Sequence, residues 1–341
     1  MKRLLALVAA VGMVAGALWL RERLEEPGSG GRAGSEAPAT TTVVCVTELA
    51  PVCTAVADAH PELTVRIEDA AVTETALTAS ETRPTIDAWL TFAPFVTIVE
   101  EQRQRSGRSP VFDDVAEPLA WSPLVIAIWK DREELLRARC GGEITWRCIG
   151  EVAGSAWVDL GGPATWGPVK PGHPTPATTA VGLLVIGQAA GSFFGSADYA
   201  SNDFTDPAFR AWFERLERSV PALPASPRTP LDEMLSKGPA TFDLTGSTEA
   251  AAAPSVARSR DRDRLSVLYP SPGATAEVVI APVAGSDAGG RVQKLFSSDE
   301  ATATLADTGW QVDTAARPAD DGLPRPGVLQ ALRSLRAEVV R

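Results

Sequence analysis

The chain has 341 residues, with 43 acidic against 32 basic side chains and a formal net charge of −11. That balance excludes the basic face nucleic acid requires and a polybasic hold on anionic lipid. Its 45% hydrophobic fraction belongs to an ordinary soluble protein rather than a multi-span membrane protein.

Met1, Lys2 and Arg3 precede the uninterrupted apolar run LLALVAAVGMVAGALWL and then Arg21. A basic head before an apolar run is an export signal or membrane anchor, and it places the rest of the chain outside the cytoplasm. The run is about 17 residues, short for a span and long for a cleaved signal core. No Ala-x-Ala-like site closes it directly, and no cysteine lies near its end for lipoprotein-type cleavage. An uncleaved anchor over 1–26 is therefore preferred to a signal cut near 34–35. Residues 27–42 are rich in Gly, Ser, Pro, Ala and Thr without periodicity, so they read as a flexible linker. About 300 residues follow, enough for two lobes with separate cores.

From Val43 onward, short apolar runs alternate with amphipathic stretches, the pattern of an α/β fold. Strands are expected over 42–46, 63–70 and 86–92. Between the first two lies a helix through Ala59, with Thr47 as its cap and Pro51 in its first turn. SPLVIAIW (122–129) is a nearly continuous apolar run, hence a strand buried on both sides, and DREELLRAR (131–139) is helical. Further helices are expected over 178–195, 206–220 and 230–238. ATFDLTG (240–246) reads as a strand ending at a turn, followed by helical STEAAAAPSVAR. Two strands with a Pro/Gly turn between them fill 265–285, and two helices stopped by Gly309 fill 292–310.

Four cysteines fall in two close pairs, Cys45 with Cys53 and Cys140 with Cys148. Four cysteines allow three pairings, and in an oxidising compartment two local bridges are the simplest. Zinc is the competing reading, but the spacing is not Cys-x-x-Cys, and His60 and His173 lie in unrelated segments. No metal site or cofactor is implied.

The order of segments resembles an extracellular solute-binding protein of ABC transporters, in the two-lobe class that binds molybdate, sulfate, phosphate and related ligands. Four segments carry the resemblance: VVCVTELAPVCTAVA; DAWLTFAP with AWSPLVIAIW; TWGPVKPGHPTPATTAVGLLVIGQAAG; and LYPSPGATAEVVIAPVAG with VQKLFSSDEATATLADTGW. It extends to actinobacterial-looking envelope proteins in which such a lobe pair accompanies a von Willebrand-type domain. The string Asp243-Leu244-Thr245-Gly246-Ser247 is similar to the Asp-x-Ser-x-Ser metal loop of those domains, but Thr holds the middle position. A strand-to-helix turn accounts for it better. The resemblance implies a periplasmic-binding-protein-like fold with mixed sheets and an inter-lobe hinge. Residues 43–121 would form the first part of lobe 1, residues 122–264 lobe 2, and residues 265–341 the return to lobe 1 with the C-terminal helices.

Such a fold holds ligand between strand ends and helix N-termini, where free N–H groups and the helix dipole favour anions. The candidate ligand residues are Thr47, Glu48, Ser122, Thr175, Thr178, Thr179, Ser247 and Thr248. Hydroxyls donate a hydrogen bond without a fixed charge, and helix capping accounts for any one of them alone. Glu48 would repel a free oxyanion at close range, so cationic or polar organic ligands fit it better. The function expected is capture of a small polar or anionic solute at the outer face of the membrane, with an ABC permease or another membrane protein as partner. An envelope sensor or assembly partner without transport is the alternative, and the direct anchor favours it. A carboxylate-dependent hydrolase is third. The chain has no Gly-x-Ser-x-Gly elbow, His-Glu-x-x-His helix or Walker loop, so an enzyme is not expected.

Overall fold

A computed structural model describes residues 41–113, 117–223, 228–318 and 322–341. The anchor expected over 1–26, and the linker as far as residue 40, lie outside the described residues. Among those described, no helix is long and apolar enough to cross a membrane.

The β-branched run at the start forms β1 (Thr41–Val46), and Pro51 sits in the first turn of α1 (Ala50–Ala59). Then follow β2 (Leu63–Glu68), α2 (Ala70–Ala79), β3 (Ala88–Phe92) and α3 (Ala93–Arg105). The continuous apolar stretch becomes β4 (Ala120–Trp129), leading into α4 (Lys130–Arg139) and α5 (Trp146–Val152). After β5 (Pro171–Gly172) comes α6 (Ala180–Phe194), whose residues 180–192 are all buried. The chain continues through α7 (Pro207–Arg218), α8 (Pro230–Lys237), β6 (Leu244–Thr248) and α9 (Glu249–Arg258). It closes with β7 (Leu265–Leu268), β8 (Thr275–Pro282), α10 (Gly289–Phe296), α11 (Asp299–Asp307) and α12 (Pro326–Val339).

The strands follow the order β2-β1-β3-β8-β4-β6-β5, with β7 also on β4. β1 is parallel to β2 and β3, whereas β8 is antiparallel to both β3 and β4. β4 changes partners along its length. Residues 120–123 pair with β8, and from Leu124 onward it pairs with β6. The Pro/Gly turn at 269–274 does not make a hairpin of β7 and β8. Both lie in succession against β4, Leu268 opposite Ile126 and Thr275 opposite Pro123.

The period of two in β4 separates two cores. Leu124, Ile126 and Ile128 join the main cluster, while Val125, Ala127 and Trp129 pack with Leu231, Met234 and Phe242 in a smaller one. Each fully buried Val, Leu or Ile contributes about 1.5–3 kcal/mol relative to exposure. α12 packs against α3, α6 and α7 and so ties the C-terminal segment to helices from both halves of the chain.

Cys45 bonds Cys53 and Cys140 bonds Cys148, the two local bridges expected from the spacing. The strand expected over 240–246 is displaced to Leu244–Thr248, so Gly246, Ser247 and Thr248 belong to the strand and not to a turn. Asp243, 0% exposed, accepts a hydrogen bond from Arg132 Nε at 3.2 Å and from the Lys170 backbone N–H at 2.8 Å. Its carboxylate is committed to those partners at the entry to β6, so the expected strand-to-helix turn at 243–247 is instead the start of the strand.

Candidate ligand cleft

β1 ends at Val46, and the chain tightens into a single 3-10 turn, Thr47–Leu49, before α1. This turn swings Glu48 toward α6, where Glu48 Oε1 accepts a hydrogen bond from the Val181 backbone N–H at 2.9 Å. The half-buried side chain lies against the first turn of a 15-residue helix, where unpaired N–H groups favour negative charge. Burial nevertheless dominates and pushes the Glu48 carboxyl above its ordinary range, against hydrogen bonds from Val181 and Thr47 that pull it down. Thr47 does not cap α1, whose N-cap position is Leu49. Its hydroxyl proton is instead shared between Glu48 Oε2 at 3.2 Å and Asp69 Oδ1 at 3.3 Å.

Thr248 ends β6 and caps α9, accepting from the Ala251 N–H at 3.3 Å. One residue earlier, Ser247 is 6% exposed and its hydroxyl has no hydrogen-bond partner among the described residues. Thr47, Glu48, Ser247 and Thr248 line one cavity of ≈510 Å³, together with Val181, Asp232, Arg258, Asp307 and Trp310. Pro51, Pro174 and Pro254 supply much of its apolar wall. Gly309 brings Trp310 to this wall. It has φ +95°, and a Cβ there would stand 2.9 Å from the Ala250 carbonyl oxygen.

The other expected residues do not line this cavity. Ser122 is 0% exposed and points across the sheet junction, where Oγ accepts from the Ala250 N–H at 3.0 Å. Thr179 caps α6, accepting from the Gly182 N–H at 3.2 Å and donating to the Thr175 carbonyl at 2.9 Å. Thr178 is exposed, and its carbonyl receives the Ala71 N–H at 3.2 Å. Thr175 lines a separate ≈430 Å³ cavity with His173, Glu217 and Arg336. In that loop the Thr179 hydroxyl is spent on fixing the backbone.

Sequence reasoning did not find Asp232, Arg258, Asp307 or Trp310. Asp232 closes the capping box of α8 with Thr229, a local signal that gives no hint of a cleft. The other three reach the cavity only because α9 and the segment after α11 meet there. Among the described residues, no group of three or more His, Cys, Asp and Glu is placed to hold a metal ion.

A cleft at the ends of strands and the starts of helices, beside a strand that changes partners midway, is an arrangement of the two-lobe α/β fold. No family model matches the chain, and no curated protein matches its sequence. Solved structures do. A periplasmic thiamin binding protein is similar over 88% of this chain and 96% of its own, at 13% identity and a TM-score of 0.58. The apo ferric ion-binding protein A of Pasteurella haemolytica aligns with 88% of this chain and 98% of its own, at 11% identity and a TM-score of 0.56. The sulfate-binding protein SubI from Mycobacterium tuberculosis H37Rv aligns with 81% and 88% respectively, at 15% identity and a TM-score of 0.52. The chain has the mixed α/β two-lobe fold of periplasmic binding proteins, as expected from the sequence.

Proposed function

We propose that this protein is an extracytoplasmic solute-binding protein that captures one small polar molecule between two lobes and presents it to an ABC permease. In this reading, residues 43–121 and 265–341 form one lobe and residues 122–264 the other, with β4 and the β7–β8 segment as the crossings. The N-terminal apolar run tethers the protein to the outer face of the membrane.

The observation that carries the reading is the composition of the ≈510 Å³ cavity. Thr47, Glu48 and Trp310 come from one side of the lobe division, and Val181, Ser247 and Thr248 from the other. Its volume falls within the ~300–1,000 Å³ typical of small-molecule sites. Hinge closure of such lobes completes the contacts to a bound solute. The Ser247 hydroxyl is a polar group left over after the fold has satisfied its neighbours.

The test is a thermal-shift screen of polar solutes against the full chain in detergent. A genuine ligand at 100 times its Kd should add about 2.7 kcal/mol of stability. A screen with no stabilising solute, together with co-purification of a membrane protein, replaces transport with the envelope-sensor reading. Turnover of a glycan or ester would instead make the protein an enzyme.

A further inference from the structure

Three backbone N–H groups at the helix starts beside this cleft, where an oxyanion would be held, are already engaged by the protein itself. At α6 the Val181 N–H is bonded to Glu48 at 2.9 Å. At α9 the Ala250 N–H goes to Ser122 at 3.0 Å and the Ala251 N–H to Thr248 at 3.3 Å. What the cavity still offers is of the opposite kind. Glu48 Oε2 accepts the shared Thr47 proton at 3.2 Å, and an oxygen of a carboxylate has further lone pairs to give. Ser247 keeps a free hydroxyl in a side chain that is 6% exposed. Asp232 and Asp307 add two more carboxylates on the wall, against the single cation Arg258. The Trp310 indole provides a surface beside which an organic cation gains attraction.

We infer that the solute taken by this cleft carries a nitrogen cation, an ammonium or protonated ring nitrogen, with Glu48 as its counter-ion and the Ser247 hydroxyl as a second anchor. The inference rests on the solute-binding reading of the same cavity and narrows its ligand class. A free sulfate or phosphate would meet three carboxylates and would have to displace Glu48 from α6 before reaching a backbone donor. A cation reverses the cost of holding Glu48 ionised. Binding then selects the ionised carboxylate, and protons compete with the ligand. The charged and titratable groups facing Glu48 are Asp232 of α8, Arg258 of α9 and Asp307 of α11. Asp69 lies behind Thr47, and His173 adjoins Pro174 on the α6 side.

The test is titration calorimetry on the full chain with thiamin, choline and spermidine as cationic probes and with sodium sulfate and inorganic phosphate as anions. The expected result is saturable binding of at least one cation, weakened tenfold or more by Glu48→Gln. Binding of sulfate or phosphate and of none of the cations overturns the inference but leaves the solute-binding reading standing. A cation whose affinity ignores Glu48→Gln, or the absence of binding by all three cations, also overturns it. Failure of a wider neutral-solute screen is needed to remove the broader reading. Should Glu48→Gln fail to fold, the unmodified chain serves. Cation affinity must fall as the pH is lowered from 8 to 4, and an affinity independent of pH over that span is decisive against Glu48.

Discussion

His173 Nε2 lies 3.0 Å from Glu217 Oε1, while His173 Nδ1 lies 2.9 Å from the Pro174 carbonyl oxygen. Both ring nitrogens face acceptors, an arrangement that favours the doubly protonated imidazole. Glu217 also accepts from Arg336 Nε at 2.6 Å, which joins the cleft loop, α7 and α12 through one carboxylate. Burial alone would depress the imidazole pKa, yet the Glu217 charge and hydrogen bond outweigh it and hold His173 above 6.5. Burial likewise pulls Glu217 up, but His173 and Arg336 win and hold it below 4.5.

The pH dependence follows with a definite sign. The His173 contribution is fully present below 6.5, its ordinary value, and is lost as pH rises through the raised folded pKa. The Glu217 contribution is present above 4.5 and is lost as pH falls through its lowered pKa. The melting temperature should therefore decline on both flanks of a mildly acidic plateau between 4.5 and 6.5. Glu217→Gln leaves the buried His173 and the half-buried Arg336 without their counter-ion and should cost about 3–5 kcal/mol. An alkaline flank unchanged in His173→Phe would remove His173 from this account.

Ser122→Ala should destabilise the fold rather than abolish binding. It orphans the buried Ala250 N–H at the start of α9, at a cost of about 1–3 kcal/mol. Chemical denaturation measures the loss. A variant as stable as the parent shows that water or a shifted strand satisfies that donor.

Ser247→Ala removes a hydroxyl that bonds nothing within the described residues, so stability should stay within about 0.5 kcal/mol of the parent. Affinity for the solute should drop about two- to tenfold, the value of one neutral hydrogen bond. Thr178→Val, on an exposed side chain outside the cavity, should leave affinity unchanged. Equal effects of the two substitutions would place the ligand elsewhere.

The disulfides should differ in accessibility. Cys45 and Cys53 are both 0% exposed, whereas Cys140 is half-buried beside Cys148 at 8%. Mild reductant should open the 140–148 bridge first, as mapped by differential alkylation. Each bridge spans a sequence separation of 8, a short loop that yields about 2–3 kcal/mol in the chain-entropy view. Simultaneous opening would contradict the burial difference.

The cleft loop should also be sensitive to size at Gly182. A Cβ there would lie 2.3 Å from the Pro174 carbonyl oxygen, a backbone atom that cannot swing aside. Gly182→Ala should lower stability by about 1–3 kcal/mol, the usual range for overpacking. A neutral result would mean that the loop at 173–179 yields without cost.

Much of this fold was legible in the chain because its elements are set by local patterns. The run SPLVIAIW had to be a doubly buried strand. The β-branched start and Pro51 dictated β1 followed by α1, and cysteines eight apart dictated local bridges. The hydroxyls of the cleft were another matter. Thr47, Ser122, Thr179 and Thr248 are alike as sequence, each a small polar residue at an element boundary. Only the register between Leu124 and Thr248 puts Ser122 against the Ala250 N–H and leaves Ser247 without a partner. Only the approach of the turn after β1 to α6 gives Glu48 a backbone donor 133 residues away. A hydrogen-bonding group is satisfied by whatever the fold brings within about 3 Å, and over such separations that is fixed by packing, not by neighbours in the chain.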